Sequence, residues 1–560
     1  MDHKIHEKRE FTDVRHLIEW AGQTYGDAAA FSWCEGKMRR FVSYHTLRAD
    51  VRALASELLA RGYAGRHAVL IGKLSYEWAL VYYAVQIIGG VVVPLDRDWS
   101  AEELGETAAR ADAAFLFADA ELAEKAEHIK GRVSLSAEPC LLGGAAGEGL
   151  SALLAEGHKR YTKNPAAYHE VDIDPYRMSL LVFTSGTTGK GKGVMLSQNN
   201  YLSDLSDVIQ YIDFRQKTVG VLPPHHTYGS SVMLIGHVMI GCEVYFSAGL
   251  RYVVKELKAE KPGHLILVPL YLETFYRRIH ATLREQKKEK LIYSMIAFSN
   301  GLRKVGIDLR KKLFAKVRAA FGGQLEMVVS GGAPINGEIL SFFEAIGIST
   351  INGYGITECA PIIAFNRSRN IVPGSVGNVA DIDHVRIDEP NAEGEGEILV
   401  TGPNVMLGYY KDEAATAEAI GTDGYFRTGD YGRLTKDNIL YITGRKKNLI
   451  ILSNGKNVYP EEIESEFVAI PGVQDIVVYE GQSRRGLEHN AIVAEIFPDG
   501  EYMEKNGIAD ARAYFAPFIE EYNRTTVPYK KIGVLKVRSE DFPKNTLRKI
   551  MRFKMDMTID

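Results

Sequence analysis

Apolar positions along this chain change their spacing from stretch to stretch, and the spacing predicts the elements. Residues 51–59 carry apolar side chains at helical intervals, 67–71 read as a strand, and 101–126 form an Ala- and Glu-rich helical stretch. The longest apolar run, 78–95, is broken by Gln86, Gly89, Gly90 and Pro94. Those breaks favour a buried helix running into a strand at Val91-Val92-Val93 over a membrane span. Helix and strand patterns alternating in this way argue for a layered α/β fold. Residues 143–149 read as a loop, and Leu180-Leu181-Val182-Phe183 as a buried strand. A second α/β stretch covers about 177–350, with strands expected at 219–222, 244–246, 265–268 and 325–330. Within it, 277–318 is strongly basic and helical. A solvated helical face is the plain reading there; a surface for acidic lipid or a cofactor phosphate is the sharper one. From 374 to 445 the chain turns Gly-rich with short strands, as in a small barrel or sandwich. After Arg445 the α/β pattern returns in a tail the size of a small domain.

Length and composition narrow the class. At 560 residues the chain is too long for one ordinary domain. Hydrophobic content of 46% and charged content of 25% are those of a soluble globular protein. A formal net charge of −4 gives no reason to expect a nucleic-acid partner. The opening residues, MDHKIHEKRE, hold no apolar signal region, so a cytoplasmic location is expected. Cys34, Cys140, Cys242 and Cys359 are scattered without metal-ligand spacing and read as free thiols.

Chemistry enters directly after the 180–183 strand. The loop Thr184-Ser185-Gly186-Thr187-Thr188-Gly189-Lys190-Gly191-Lys192-Gly193 combines glycines, hydroxyls and lysines. Such a loop can wrap a polyphosphate: glycines let the backbone approach, N–H groups and hydroxyls donate, and lysines supply charge. It is not the P-loop of NTPases, whose last position must be Ser or Thr to bind magnesium; here that position is Gly193. Four further polar clusters follow. They are Ser330-Gly331-Gly332-Ala333-Pro334, Asn352-Gly353-Tyr354-Gly355-Ile356-Thr357-Glu358, Tyr425-Phe426-Arg427-Thr428-Gly429-Asp430, and Gly444-Arg445-Lys446-Lys447 leading to 453–464. Each alone reads as a turn or cap. In this order and at this spacing they resemble the adenylate-forming superfamily of acyl- and aryl-CoA synthetases, peptide-synthetase adenylation domains and beetle luciferases. The strings LRKKLFAKVRAAFGG, VSGGAPI and GRKKNLIILSNGKNVYPEEIE look most like long-chain fatty acyl-CoA synthetases.

The resemblance implies a large N-terminal domain, residues 1–445, of two layered α/β subdomains plus a small β-barrel. A small mobile C-terminal α+β domain, 446–560, would turn about a hinge near Lys447. It implies ATP, Mg2+ and CoA as substrates and cofactor. By the same resemblance, Thr184, Ser185, Gly186, Thr187, Thr188, Gly189 and Lys192 hold the β- and γ-phosphates, with Gly191 standing where the family has proline. Gly331, Gly332, Ala333 and Pro334 border the adenine, and Asn352, Gly353 and Gly355 belong to the same site. Tyr354 stacks on adenine, Thr357 meets the α-phosphate, Glu358 ligates magnesium, Asp430 takes the ribose hydroxyls and Arg445 contacts ribose or phosphate. His226 and Gly229, in the run from Pro223, border the acyl pocket; a neutral structural role for His226 stays equally open. Lys549, six residues after Pro543, is the adenylation lysine, with Lys544 and Arg548 as other candidates because Arg548 replaces the usual glycine. Gly455 and Lys456 face the channel for CoA.

The expected activity is therefore AMP-forming ligation of a medium- or long-chain fatty acid to CoA through an acyl-adenylate. An acyl carrier protein as acceptor, another carboxylic acid as substrate, and a catalytically silent acyl-nucleotide sensor are the alternatives. Oligomeric state and peripheral membrane contact are left open by the sequence.

Overall fold

The computed structural model describes residues 3–144, 147–184, 191–249, 251–452, 457–483, 491–544 and 550–559. One sheet has seven strands in the order Gly408–Tyr409, Gly193–Ser197, Met178–Phe183, Val91–Leu95, His67–Ile71, Phe115–Asp119, Cys140–Leu142. His67–Ile71 runs parallel to both of its neighbours. The central strands Val91–Leu95 and Phe115–Asp119 are buried along their whole length, as continuous apolar runs in parallel sheets are. Period-two alternation sorts their side chains. Ala68 and Leu70 pack with helices Tyr44–Ala60 and Tyr76–Ile87, whereas Val69 and Ile71 pack with Ala101–Arg110 and Ala123–Lys130. The sheet thus lies between two helical layers, and the apolar run at 78–95 is a core helix and strand. Among the described residues, no helix is long and apolar enough to cross a membrane.

Residues 101–126 are not one helical stretch. The helix Ala101–Arg110, started by a Ser100/Glu103 capping box, ends before Asp112, whose φ is +48°. Phe115-Leu116-Phe117 then forms a buried strand between His67–Ile71 and Cys140–Leu142. The Ala/Glu composition masked a short apolar run without helical spacing.

A nine-stranded sheet runs His264–Leu267, Met327–Ser330, Ser349–Gly355, Ile362–Phe365, Gly377–Val379, Ile439–Arg445, Phe426–Leu434, Gly396–Thr401, His384–Asp388. Its first three strands are parallel and the rest antiparallel. The short strands after 374 therefore extend an existing sheet. Their described ladders form an open series and do not by themselves show a small barrel. A third sheet joins Met38–Ser43 and Ala29–Glu35 to Glu243–Phe246 and Lys217–Gly220. The two α/β stretches read in the sequence thus interleave. The hairpin that opens the second stretch completes the first sheet, and an N-terminal hairpin pairs with strands of the second.

Beyond Arg445 the strands Val473–Gly481, Ala491–Pro498 and Val534–Val537 form their own sheet. With helices Pro460–Phe467 and Ala511–Thr525 they enclose a separate core containing Ile463, Phe467, Val478, Ile496 and Phe515. This unit touches the larger one through Asn336 Nδ2, which donates to the Ser465 carbonyl at 2.6 Å, and Arg277, which reaches the Val473 carbonyl at 3.4 Å.

Candidate active site

The Gly-rich loop joins two antiparallel strands, with Phe183 opposite Gly193. Thr184 N–H donates to the Lys192 carbonyl at 3.0 Å, closing the base of the loop. Ser185, Gly186, Thr187, Thr188 and Gly189 lie outside the described residues, as do Gly455, Lys456 and Lys549. Lys192 Nζ sits 4.5 Å from the centroid of the Tyr409 ring. Tyr409 in turn donates from its hydroxyl to Glu358 Oε1 at 3.0 Å. One aromatic residue therefore ties the lysine at the base of the Gly-rich loop to the carboxylate of a distant motif.

Glu358 lies in a short 3-10 turn, Thr357–Cys359, that follows the strand Ser349–Gly355. Burial raises its carboxyl above the ordinary range, opposed by a backbone N–H, the Tyr409 hydroxyl and the Arg445 charge. Gly355 must be glycine: a Cβ there would lie 1.7 Å from the Pro361 carbonyl oxygen. Tyr354 donates to Asp430 Oδ2 at 2.8 Å, and Arg445 Nε lies 3.2 Å from Asp430 Oδ1. Asp430 is buried while Arg445 keeps 60% of its side chain exposed, so the arginine can turn toward a ligand without leaving a solvent-free position. Asp430 and Arg445 are cross-strand partners in one antiparallel ladder, which sets this pairing through register.

Ser330 ends its strand opposite Asn352, and Gly331 N–H donates to the Leu267 carbonyl at 3.2 Å. Gly332 has φ +86°, a conformation that favours glycine. Ala333 and Pro334 continue the loop out of the sheet. Asn352 Nδ2 reaches the Ser375 carbonyl at 3.5 Å, and Gly353 pairs with Phe365. The motif at 223–229 meets this loop through Tyr228: its hydroxyl donates to the Leu267 carbonyl at 3.4 Å, and its ring lies 3.3 Å from where a Gly331 Cβ would stand. His226 caps the turn Thr227–Ser230, which runs into the buried π-helix Ser231–Gly236. At Gly229 a Cβ would come within 1.9 Å of the Pro223 carbonyl. The rings of His225 and His226 are 4.9 Å apart, and His225 Nε2 lies 3.3 Å from Asp96 Oδ2. Burial lowers the His225 imidazole, opposed by Asp96.

Lys446 donates to Glu397 Oε2 at 2.6 Å, and Gly429 N–H reaches Glu397 Oε1 at 3.2 Å. A buried acid thus connects the Asp430 turn to the segment holding Lys447. Of the alternatives to Lys549, Lys544 is engaged with Asp475 and Asp541, both at 2.7 Å. Arg548 lies outside the described residues.

Sequence reasoning missed Tyr409, Asp96 and Glu397. Tyr409 stands 51 residues from its partner Glu358 in a run, Gly408-Tyr409-Tyr410-Lys411, that carries no chemical signature. It also missed a buried trio, His237, Cys242 and His264. There Arg215 N–H donates to His264 Nδ1 at 3.1 Å, the two Nε2 atoms lie 3.0 Å apart, and His237 Nδ1 lies 2.8 Å from the Val232 carbonyl. One tautomer sequence, with protons on His264 Nε2 and His237 Nδ1, satisfies every ring nitrogen. Burial pushes His237 down to about 4, so the network suits neutral rings.

Known proteins resemble this chain in sequence and fold. The chain belongs to the AMP-binding enzyme family, whose sequence profile matches residues 18–410. A long-chain-fatty-acid–CoA ligase, FadD15, of Mycobacterium bovis is 29% identical over 453 residues, 77% of this chain and 73% of the relative. Long-chain-fatty-acid–CoA ligase 1 of Cavia porcellus is 28% identical over 507 residues, 83% of this chain and 70% of that one. The crystal structure of ATP-bound MatB from Rhodopseudomonas palustris superposes with a TM-score of 0.75 at 23% identity, covering 96% of this chain and 97% of the other. That likeness establishes the fold.

Proposed function

We propose that the chain is an AMP-forming acyl-CoA synthetase that activates a medium- or long-chain fatty acid. The observation that carries this reading is the convergence of Tyr354, Asp430, Arg445 and Glu358, joined by Tyr409 to Lys192 at the base of the Gly-rich loop. The names of the curated relatives support the fatty acid and CoA as substrates.

The first half-reaction brings a carboxylate against the α-phosphate of ATP and expels pyrophosphate. Two anions must approach, so placed cations and donors lower the barrier. Lys192 and the loop hydroxyls would hold the outer phosphates. Asp430, which accepts from Tyr354 and pairs with Arg445, would take the ribose hydroxyls. Tyr354 would carry the adenine on its face, bordered by Gly331, Gly332, Ala333 and Pro334. Thr357 would donate to the α-phosphate, and Lys549 would neutralise charge as the carboxylate attacks. The single carboxylate of Glu358, kept ready by Tyr409, fits a magnesium ion that takes its other ligands from phosphate and water. When bound, that ion screens phosphate charge. In the second half-reaction a CoA thiol would displace AMP after the C-terminal unit turns about Lys447, bringing Gly455 and Lys456 to the thiol channel. His226 and Gly229 would border the acyl pocket, which discriminates weakly per methylene, by ~1–3 kcal/mol, so a range of chain lengths is expected.

The test is AMP release by the purified protein with ATP and magnesium, across acids from acetate to palmitate plus benzoate, with and without CoA. CoA-dependent release peaking at medium or long chains is the expected result. Turnover only with an acyl carrier protein reassigns the acceptor, and a peak at benzoate reassigns the acid.

A further inference from the structure

Arg110, the last residue of helix Ala101–Arg110, lies outside every motif read in the sequence, yet it meets the Gly-rich loop. Its Nη2 donates to the Gly191 carbonyl at 2.6 Å, and its guanidinium carbon stands 5.2 Å from the centroid of the Phe183 ring. Phe183 ends the strand that enters the loop, and Gly191 comes just before the strand that leaves it, Gly193–Ser197. One side chain therefore touches both stems. The Phe183 ring packs so closely on the returning strand that a Cβ at Gly193 would lie 3.2 Å from it.

The bond to Gly191 is short and charge-assisted, the stronger kind. Among the described residues no acid pairs with Arg110. Glycine has the most backbone freedom to lose and offers no side chain, so its carbonyl is the natural handle for a neighbour.

The consequence falls on the next residue. The Lys192 carbonyl accepts from Thr184 N–H at 3.0 Å and from the Thr184 hydroxyl at 3.4 Å. With the Gly191 carbonyl on Arg110, two consecutive carbonyls are held. Each lies in a rigid peptide plane, so the planes on both sides of the Lys192 Cα are fixed and the direction of its side chain with them. That direction brings Lys192 Nζ over the Tyr409 ring. The same helix end anchors that ring's segment. Asp112 accepts from the Tyr410 hydroxyl and from Lys411 Nζ, the latter at 2.6 Å, and Tyr410 N–H donates to the Gly193 carbonyl at 2.7 Å.

We propose that Arg110 is a positioning residue for the nucleotide: by holding the Gly191 carbonyl it sets the backbone of Lys192 so that the ammonium meets the outer phosphates of ATP. The proposal rests on the ligase reading, which gives Lys192 those phosphates. AMP lacks them, so the effect of Arg110 is confined to ligands that carry β- and γ-phosphates.

The test is calorimetric titration of the purified full-length protein with α,β-methylene-ATP and, separately, with AMP, both with magnesium. Arg110 is exposed, so Arg110→Ala leaves no cavity, and a thermal melt checks that the variant is folded. Arg110→Ala is expected to weaken the ATP analogue roughly threefold to tenfold, the loss of one such bond, and to leave AMP unchanged. In steady state it raises the KM for ATP and not the KM for the acid. Lys192→Ala weakens the analogue as well, and adding Arg110→Ala to it costs nothing further, because the two act as one unit. Unchanged analogue binding in Arg110→Ala, equal weakening of AMP, or a full additional loss in the double variant overturns the proposal. Wild-type protein that binds the analogue no better than AMP, or a Lys192→Ala variant that binds it as well as wild type, fails the phosphate reading of Lys192 and the proposal with it. A Lys192 effect without an Arg110 effect overturns the proposal alone, so the two failures are told apart.

Discussion

Replacing Tyr409 with phenylalanine removes one hydroxyl and keeps the ring. The ring faces Lys192 Nζ at 4.5 Å and the hydroxyl donates to Glu358 Oε1 at 3.0 Å, so the variant separates two contributions made by one side chain. Glu358 is already raised by burial, and the Tyr409 hydroxyl is one of the few groups that favour its ionised form. A hydrogen bond to a charged group contributes ~1.5–3 kcal/mol. If Glu358 acts as a carboxylate in adenylation, the variant slows ATP–pyrophosphate exchange roughly tenfold to a hundredfold at neutral pH, at ~1.4 kcal/mol per decade. The direction of the pH effect follows from sign. Losing a donor to the ionised form raises the carboxyl further, so the acid limb of the exchange profile moves to higher pH and part of the rate returns in alkali. The magnesium requirement rises with it. The assay is isotope exchange against pH and magnesium, with a thermal melt to show that the variant is folded. A folded variant with wild-type exchange and an unmoved acid limb refutes the reasoning, because Glu358 would then need neither its donor nor its charge.

Lys549→Ala is expected to abolish ATP–pyrophosphate exchange while largely sparing thioester formation from supplied acyl-adenylate; near-normal exchange would remove that lysine from the first step. Gly355→Ala places a Cβ 1.7 Å from the Pro361 carbonyl, a backbone atom that cannot move aside cheaply, so a loss of ~3 kcal/mol or more in urea unfolding is expected; an unchanged midpoint refutes the packing argument. Burial pushes Asp383 up to about 8, with Asn404 Nδ2 donating to its Oδ2 at 3.0 Å. Its folded form holds a proton that the unfolded chain releases near ~3.9, so its contribution is full below that pH and is lost as pH climbs toward 8. Asp383→Asn keeps an amide that can pair with Asn404 and removes this loss. The variant should gain stability relative to wild type between about pH 5 and about pH 8 in urea titrations, and a constant or falling difference would contradict the assignment.

Much of the molecule was legible residue by residue. Helix Tyr76–Ile87 and strand Val91–Leu95 follow from an apolar run broken at Gly89 and Gly90, because periodicity and glycine breaks are local properties. Strands near 219, 244, 265 and 325 appear within a few residues of their expected positions, as Lys217–Gly220, Glu243–Phe246, His264–Leu267 and Met327–Ser330. The 101–126 stretch failed because composition was weighed above spacing, and Phe115 to Phe117 fit a gap between two strands that only the whole sheet creates. The motif clusters stood out in the sequence because turn glycines, hydroxyls and acids are local features. Their partners did not. Tyr409 and Asp96 are ordinary residues in their own neighbourhoods and acquire meaning only by lying against Glu358 and His225.

By itself, then, the sequence determined most of the segments that become helix or strand and the resemblance to adenylate-forming enzymes, since each depends on residues close together in the chain. Tertiary structure alone decided that two α/β stretches exchange strands, that Tyr354 meets Asp430 across 76 residues, and that a basic helix turns Phe298 and Val305 to solvent. The physical reason is that sheet pairing, register and burial are collective: closing a long loop costs little more than closing a short one, so sequence distance says almost nothing about which surfaces finally meet.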